Sequence, residues 1–330
     1  MREVFFHNCD IACNDVRPCL LGLIMIVPKI GSFQMDTVPY DFIDRVFTRL
    51  SAIEHRTLDV KAPLWAEAVR VYKKKVELFK VEIILNPDGC RYKFISFKSS
   101  RDWTLQEMAT LDDRFIRIDQ LRVFGVIAVD HGHYVEDLPK LIQFISRFPV
   151  EDMNLYLLSA ETHQGLMDAC VDSSLRIRSL QLLHCRESEE FLKCQLHSDE
   201  LSRLDIQGDI GPELMSDFES FVCRPTFQFL HCNFTCMDMD CLKRIVAYWK
   251  AMESPWSKAT LSLKTRKQLN SKFATWLPWI FETRIDKRTG NSVPCKSAPR
   301  QFEERNGQFC LRVLCRDNHV LFEFFSSSPQ

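Results

Sequence analysis

Apolar positions recur with a helical period near the start of the chain and with a strand-like period further on. Phe42, Ile43, Val46, Phe47 and Leu50 fall on one face of a helix. Asp36 or Thr37 can cap that helix, and Pro39 suits its first turn. A second helix is predicted from Pro63 through Trp65, Ala68, Val69 and Tyr72, with Lys73, Lys74 and Lys75 at its solvated end. Asn86-Pro87-Asp88-Gly89 reads as a turn between β-rich runs at 81–85 and 92–97. Residues 1–34 carry no amphipathic period. They are expected to be a disordered or wrongly assigned leader, with Met35 as the true start.

From residue 118 onward strand-like runs alternate with helix-like ones. The strands centre on Leu121, Leu155, Leu180, Leu204, Leu230 and Leu261, and the three central intervals are each close to 25 residues. Helical patterns fill the gaps at 138–145, 161–171, 187–196, 212–222 and 237–252. A period near 25 with Leu-x-x-Leu-x-Leu in the strand resembles a leucine-rich repeat, in which each unit buries its apolar face only against its neighbours. The asparagine that usually follows the strand is missing. Asn306-Gly307 and Arg316-Asp317-Asn318 then punctuate runs at 308–315 and 320–325, which predicts hairpin strands, with 326–330 fraying.

Composition narrows the function classes. Hydrophobic residues at 46% suffice for a packed core, and a formal net charge of −1 points to neither nucleic acid nor a membrane surface. The apolar stretch at 19–28 is half the length of a membrane span and has little positive charge before it. Neither GxxxxGK[ST] nor GxGxxG occurs, which removes the common phosphate-cradling loops. The 14 cysteines are scattered without a CxxC pair, so they are expected to be free thiols in a reducing, cytoplasmic or nuclear compartment.

No catalytic constellation stands out. There is no Gly-x-Ser-x-Gly elbow, and no Cys–His pair is selected over the others, so no enzymatic activity is expected. His131-x-His133 reads as a polar loop. His184-Cys185 with Cys194 and His197, and His231-Cys232 with Cys236 and Cys241, have richer donor sets, but Cys232 falls in the register held by Leu182 and Ile206. Neither metal nor cofactor is expected. Charge is segregated: 187–219 hold ten acidic and two basic side chains, and 258–300 hold ten basic and two acidic. Trp276 and Trp279 lie in that basic stretch, but they flank Pro278 in an apolar run that reads as core rather than as a base-stacking platform.

Residues 38–65 resemble the F-box. Val38-Pro39-Tyr40-Asp41-Phe42 stands for the family's Leu-Pro opening with an acid two positions after the proline. Val46, Phe47 and Leu50 supply its aliphatic face, Glu54 an acid, Leu58 the next turn, and Trp65 lies fifteen residues after Leu50. Lys61, His55 and Pro63 stand where the family prefers Val, Leu, and Ser or a charged residue. The opening Met-Asp-Thr-Val-Pro also resembles the start of expanded nematode F-box families.

This resemblance implies an adaptor subunit of a cullin–RING (SCF-type) ubiquitin ligase. Val38, Pro39, Phe42, Ile43, Val46, Leu50, Leu58 and Trp65 would bind or support the surface for a Skp-type adaptor, and through it the cullin scaffold. The rest of the chain would hold a protein substrate whose contact residues are not marked. The alternative is a leucine-rich-repeat-like binding module or scaffold without ligase docking. The expected fold is α/β: an F-box-like helical motif at 35–80, an irregular leucine-rich-repeat-like α/β solenoid at 81–300, and a C-terminal β-hairpin cap at 301–330. Thiol titration of the purified protein, denatured without reductant, is expected to return most of its 14 cysteines as free thiols. Several intrachain disulfides in protein taken from cells would contradict the reducing compartment.

Overall fold

A computed structural model describes residues 42–43, 46–47, 63–86, 89–125, 132–135, 137–156, 160–208, 210–234, 239–252, 258–265, 284–285, 292–293, 300–306, 309–316 and 319–326. Residues 42–43 and 46–47 are helical, and helix α1 follows at Pro63–Lys75, its last turn carrying the three lysines that suit the negative end of a helix. Strands β1 (Glu77–Asn86) and β2 (Gly89–Ser96) then form an antiparallel hairpin. Gly89 enters it at φ +139, and a side chain there would meet the Tyr134 ring at 2.5 Å, so only glycine serves. Strand β3 (Asp102–Trp103) and the short helix α2 (Leu105–Met108), which a Thr104/Glu107 capping box opens, lead into β4 (Ile116–Phe124).

From β4 the chain alternates regularly. Strand β5 (His133–Val135) pairs back onto β2. Helices α3 (Leu138–Ile145), α4 (Ala160–Asp172), α5 (Glu189–His197), α6 (Met215–Val222) and α7 (Met239–Ala251) connect strands β6 (Val150–Tyr156), β7 (Ile177–Leu183), β8 (Arg203–Gln207), β9 (Phe229–Phe234) and β10 (Lys258–Thr265). Local chemistry explains α3: Asp137 caps it by accepting from the Lys140 amide, Pro139 sits in its first turn, and Leu141, Ile142 and Ile145 are buried. Strands β11 (Arg284–Ile285) and β12 (Ser292–Val293) form a separate small pair. Strands β13 (Arg300–Asn306), β14 (Phe309–Arg316) and β15 (His319–Ser326) close the chain as an antiparallel meander.

All the strands except β11 and β12 belong to one 13-stranded mixed sheet, in the order β13-β14-β15-β10-β9-β8-β7-β6-β4-β1-β2-β3, with β5 beside β2. The strands from β1 and β4 through β10 are parallel, and both flanks are antiparallel. Strand order never reverses between β4 and β10, and α3 to α7 each touch the next, so crossovers of one hand lay these helices in one layer on one face. Among the described residues no helix is long and apolar enough to cross a membrane.

A leucine-rich-repeat-like solenoid with a separate hairpin cap is therefore not the architecture. The terminal meander does not cap a stack from outside. Strand β15 pairs with β10 in register, and Phe322 and Phe324 enter the main core, where the Phe324 ring lies 5.5 Å from that of Trp249. At the other flank β1 inserts next to β4 although β2 and β3 intervene in sequence, so the sheet does not grow by repeating one unit. Helices α2 to α7 are interleaved with the strands, as the helical patterns from 138 onward led one to expect, but within one mixed sheet and not a solenoid. The period near 25 residues reflects a strand and a helix of ordinary length, a spacing that any run of parallel crossovers can produce.

One apolar row crosses the sheet. Phe94, Val81, Leu121, Met153, Leu180, Leu204, Leu230, Leu261 and Phe322 are register partners on successive strands. None of them is more than 1% exposed. Leu204 lies mid-row, so Leu204→Ala is expected to cost about 3–5 kcal/mol of unfolding free energy by urea titration. Gln207→Ala, at an exposed position on the same strand, should change it by less than about 0.5 kcal/mol.

Candidate functional site

Of the residues that carry the F-box resemblance, Ile43, Val46, Phe47 and Trp65 pack into one cluster among the described residues. Ile43, Val46, Phe47, Trp65, Ala68, Val69, Tyr72, Val76 and Leu78 form a hydrophobic core separate from that of the sheet. The Phe47 ring stands 6.2 Å from Trp65 and 4.9 Å from Tyr72, and Tyr72 stands 5.1 Å from Phe115. Val76 and Leu78 carry the cluster to the start of β1, and Phe115 carries it to the start of β4. The helical residues thus sit at the leading ends of two adjacent parallel strands.

Arg117 ties the two parts together. Its side chain is 1% exposed, and its guanidinium donates to the Phe47 carbonyl at 3.0 Å, the Ile116 carbonyl at 2.7 Å and the Arg114 carbonyl at 3.0 Å. A buried charge is tolerated when its donors are engaged, and these bonds fix where the helical segment meets the sheet.

Of the residues expected to face a Skp-type adaptor, Phe42 is 45% exposed, whereas Ile43, Val46 and Trp65 are buried within the chain at 0%, 5% and 2%. Val38, Pro39, Leu50 and Leu58 lie outside the described residues. So do the 1–34 leader, His131, Cys236, Trp276 and Trp279. Sequence reasoning missed Arg117. The only signal for it was a charged residue between Ile116 and Ile118, and alternation alone would send it to solvent.

The sheet face opposite the buried row is polar. Glu82, Arg122, Asn154, Gln181, Asp205, His231 and Ser262 are register partners on seven neighbouring strands, all half-buried. His231 Nδ1 lies 2.9 Å from Ser262 Oγ, and Asp205 Oδ1 and Arg122 Nε are buried without a hydrogen-bond partner. The order acid, imidazole, hydroxyl is that of a hydrolytic triad. A triad also needs its carboxylate bonded to the imidazole and free backbone N–H groups for an oxyanion. Here Asp205 Oδ1 bonds nothing, and the surrounding backbone is paired strand to strand. The row mixes acidic, basic, amide and hydroxyl side chains.

Of the described cysteine candidates, Cys232 and Cys241 are buried, Cys185 is half-buried and Cys194 is exposed. Cys232 is 3% exposed between Ile206 and Leu263, and burial pushes its thiol up to about 12. Burial raises Cys90 to about 12 as well, and it also raises Cys170, Cys185 and Cys194. None of these is a ready thiolate at neutral pH. Among the described residues no three His, Cys, Asp or Glu side chains gather closely enough to hold a metal ion.

The chain matches no family model and no curated protein. Among solved structures it aligns with the MycE methyltransferase of the mycinamycin biosynthetic pathway, solved in complex with Mg, SAH and mycinamycin VI. That alignment covers 87% of this chain and 91% of the other at 12% identity and a TM-score of 0.23. A score that low does not describe a shared fold.

The Arg117 strap gives a direct test. Arg117→Met keeps the apolar stem and removes the donors to the Phe47, Ile116 and Arg114 carbonyls. Stability in urea should fall by about 2–3 kcal/mol, and amides of residues 63–75 should exchange faster than those of β6 to β8. Unchanged exchange in 63–75 would show that the helical segment is held without this residue.

Proposed function

We propose that the chain is a non-enzymatic adaptor with two working parts. The helical segment docks a Skp-type adaptor of a cullin–RING ubiquitin ligase, and the sheet holds a protein substrate. The work of such an adaptor is proximity: it raises the effective concentration of a substrate lysine beside the charged E2. The observation that carries the reading is the division of apolar burial into two clusters, with Phe42 left exposed beside the smaller one. A segment with its own small core can present a surface without disturbing the sheet. A cytoplasmic or nuclear location goes with this reading.

A second reading is favoured by the burial of Ile43, Val46 and Trp65 inside the chain. On that reading the helical segment only covers the leading ends of β1 and β4, and the chain is a protein-binding module without ligase docking.

Phe42→Ala separates the two. Phe42 is 45% exposed, so its loss should cost less than about 1 kcal/mol of stability. An aromatic anchor in an interface is worth about 2–4 kcal/mol, so binding to a Skp-type adaptor should weaken at least about tenfold. The checks are co-purification of residues 35–330 with the adaptor, affinity of wild type and variant, and melting of both. Wild type that binds no Skp-type adaptor, or a variant that binds as well as wild type, contradicts docking through this surface.

A further inference from the structure

The two edges of the 13-stranded sheet are built differently. At one, β2 is bordered by β3, of two residues, and by β5, of three, and strands that short offer little to pair with. At the other stands β13, seven residues with no proline inside it, and among the described residues β14 is its one strand neighbour. We propose that two copies of this chain associate by pairing β13 antiparallel to itself across a two-fold axis, with Phe302 at the axis. This goes beyond the proposed function and does not rest on it.

The apolar row points to this edge. From Phe322 the register runs on through Val313 of β14 to Phe302 of β13, where the sheet ends. A second copy joined at Phe302 would carry the row across the axis into its own sheet. Copies that meet at the same edge are related by a two-fold axis, so each contact between two different positions is made twice.

Backbone parity narrows the register. A two-residue connection joins β13 to β14, so its closing pair, Asn306 and Phe309, exchanges backbone hydrogen bonds. By alternation Glu304, Phe302 and Arg300 also direct their backbone groups to β14, and Gln301, Glu303 and Arg305 direct theirs out of the sheet. Strand β14 keeps this parity on its other side, where Arg316 closes the next two-residue connection with His319. Directly opposed residues in an antiparallel pair are of one kind, so self-pairing centres on a residue and not between two.

The charge pattern then selects the centre. Centring on Arg300, Glu303, Glu304 or Arg305 sets a charge against its own copy, and centring on Gln301 leaves Glu303 onward beyond the paired stretch. Centring on Phe302 sets Arg300 opposite Glu304 twice, with Gln301 opposite Glu303 and no like charges opposed. In their own chain the residues opposite Arg300 and Glu304 are the uncharged Cys315 and Leu311. Charges on an edge deter an unmatched strand, and a strand of complementary pattern neutralises them.

Sedimentation of the full chain over a concentration series should show a monomer–dimer equilibrium with a dissociation constant on the order of 10 µM, as suits a small interface. Arg300→Glu and Glu304→Arg each set like charges opposite one another at both positions. Each should weaken self-association at least about tenfold while the monomer melts near wild type. Mixed in equal amounts, the two variants are complementary again and should associate about as tightly as wild type. Only this register predicts that rescue, and a variant that failed to fold could not give it. Wild type that stays monomeric well above that concentration, variants that dimerise as well as wild type, or a mixture that associates no more tightly than its components overturns the proposal.

Discussion

The structure depends on one row of apolar side chains that crosses nine strands from Phe94 to Phe322 without a polar interruption. Side chains on a strand alternate between faces, so a slip of one residue in β1, β4, β6, β7, β8 or β10 would replace its member of the row with a polar neighbour. That penalty holds the register of parallel and antiparallel strands alike, and it explains why the two kinds join in one sheet. It also sets the other face. Once Leu180, Leu204 and Leu230 point into the helix layer, Gln181, Asp205 and His231 must line up on the opposite side. The polar row is thus a consequence of the apolar one.

Much of the element pattern was legible in the chain, and the reasons are local. The helical period at 138–145 returns as α3 with the same bounds, because Asp137, Pro139 and the Leu141/Ile142/Ile145 stripe agree. The turn signal at 86–89 joins β1 to β2, and the two late β-rich runs become β14 and β15. Leu155, taken as a strand anchor, lies two residues past the row, where Met153 sits instead. A leucine was the more obvious anchor, and nothing local distinguishes two apolar residues on one face of a strand. The assembly was not legible. Pairing of β1 with β4, and of β15 with β10, joins segments distant in sequence, and periodicity says nothing about such partners. An approximately constant spacing was read as a repeat, where the strands instead form one mixed sheet with different flanks.

The candidate site was partly visible. Trp65 and the Phe42-to-Phe47 stripe were singled out, and all of the described members except Phe42 pack inward around Tyr72. A helical stripe specifies an apolar face but not whether a neighbour in the same chain or a second protein covers it. Arg117 could not have been found this way. It matters because its surroundings are buried, a property of the assembled layers rather than of the residue's neighbours in sequence. What emerges is a division of the chain into a small helical core strapped to the end of a sheet and a sheet with one apolar and one polar row; the proposed function assigns docking to the first and substrate to the second.

That division is the central claim, and hydrogen exchange of the full chain with and without a Skp-type adaptor tests it most directly. Exchange resolves local protection, so docking on one part can be told from docking on the other. The account predicts new protection confined to the helical segment around Phe42 and to α1, with β6 to β9 unchanged. Protection that instead appears across the polar sheet face, or no protection anywhere at saturating adaptor, would contradict it.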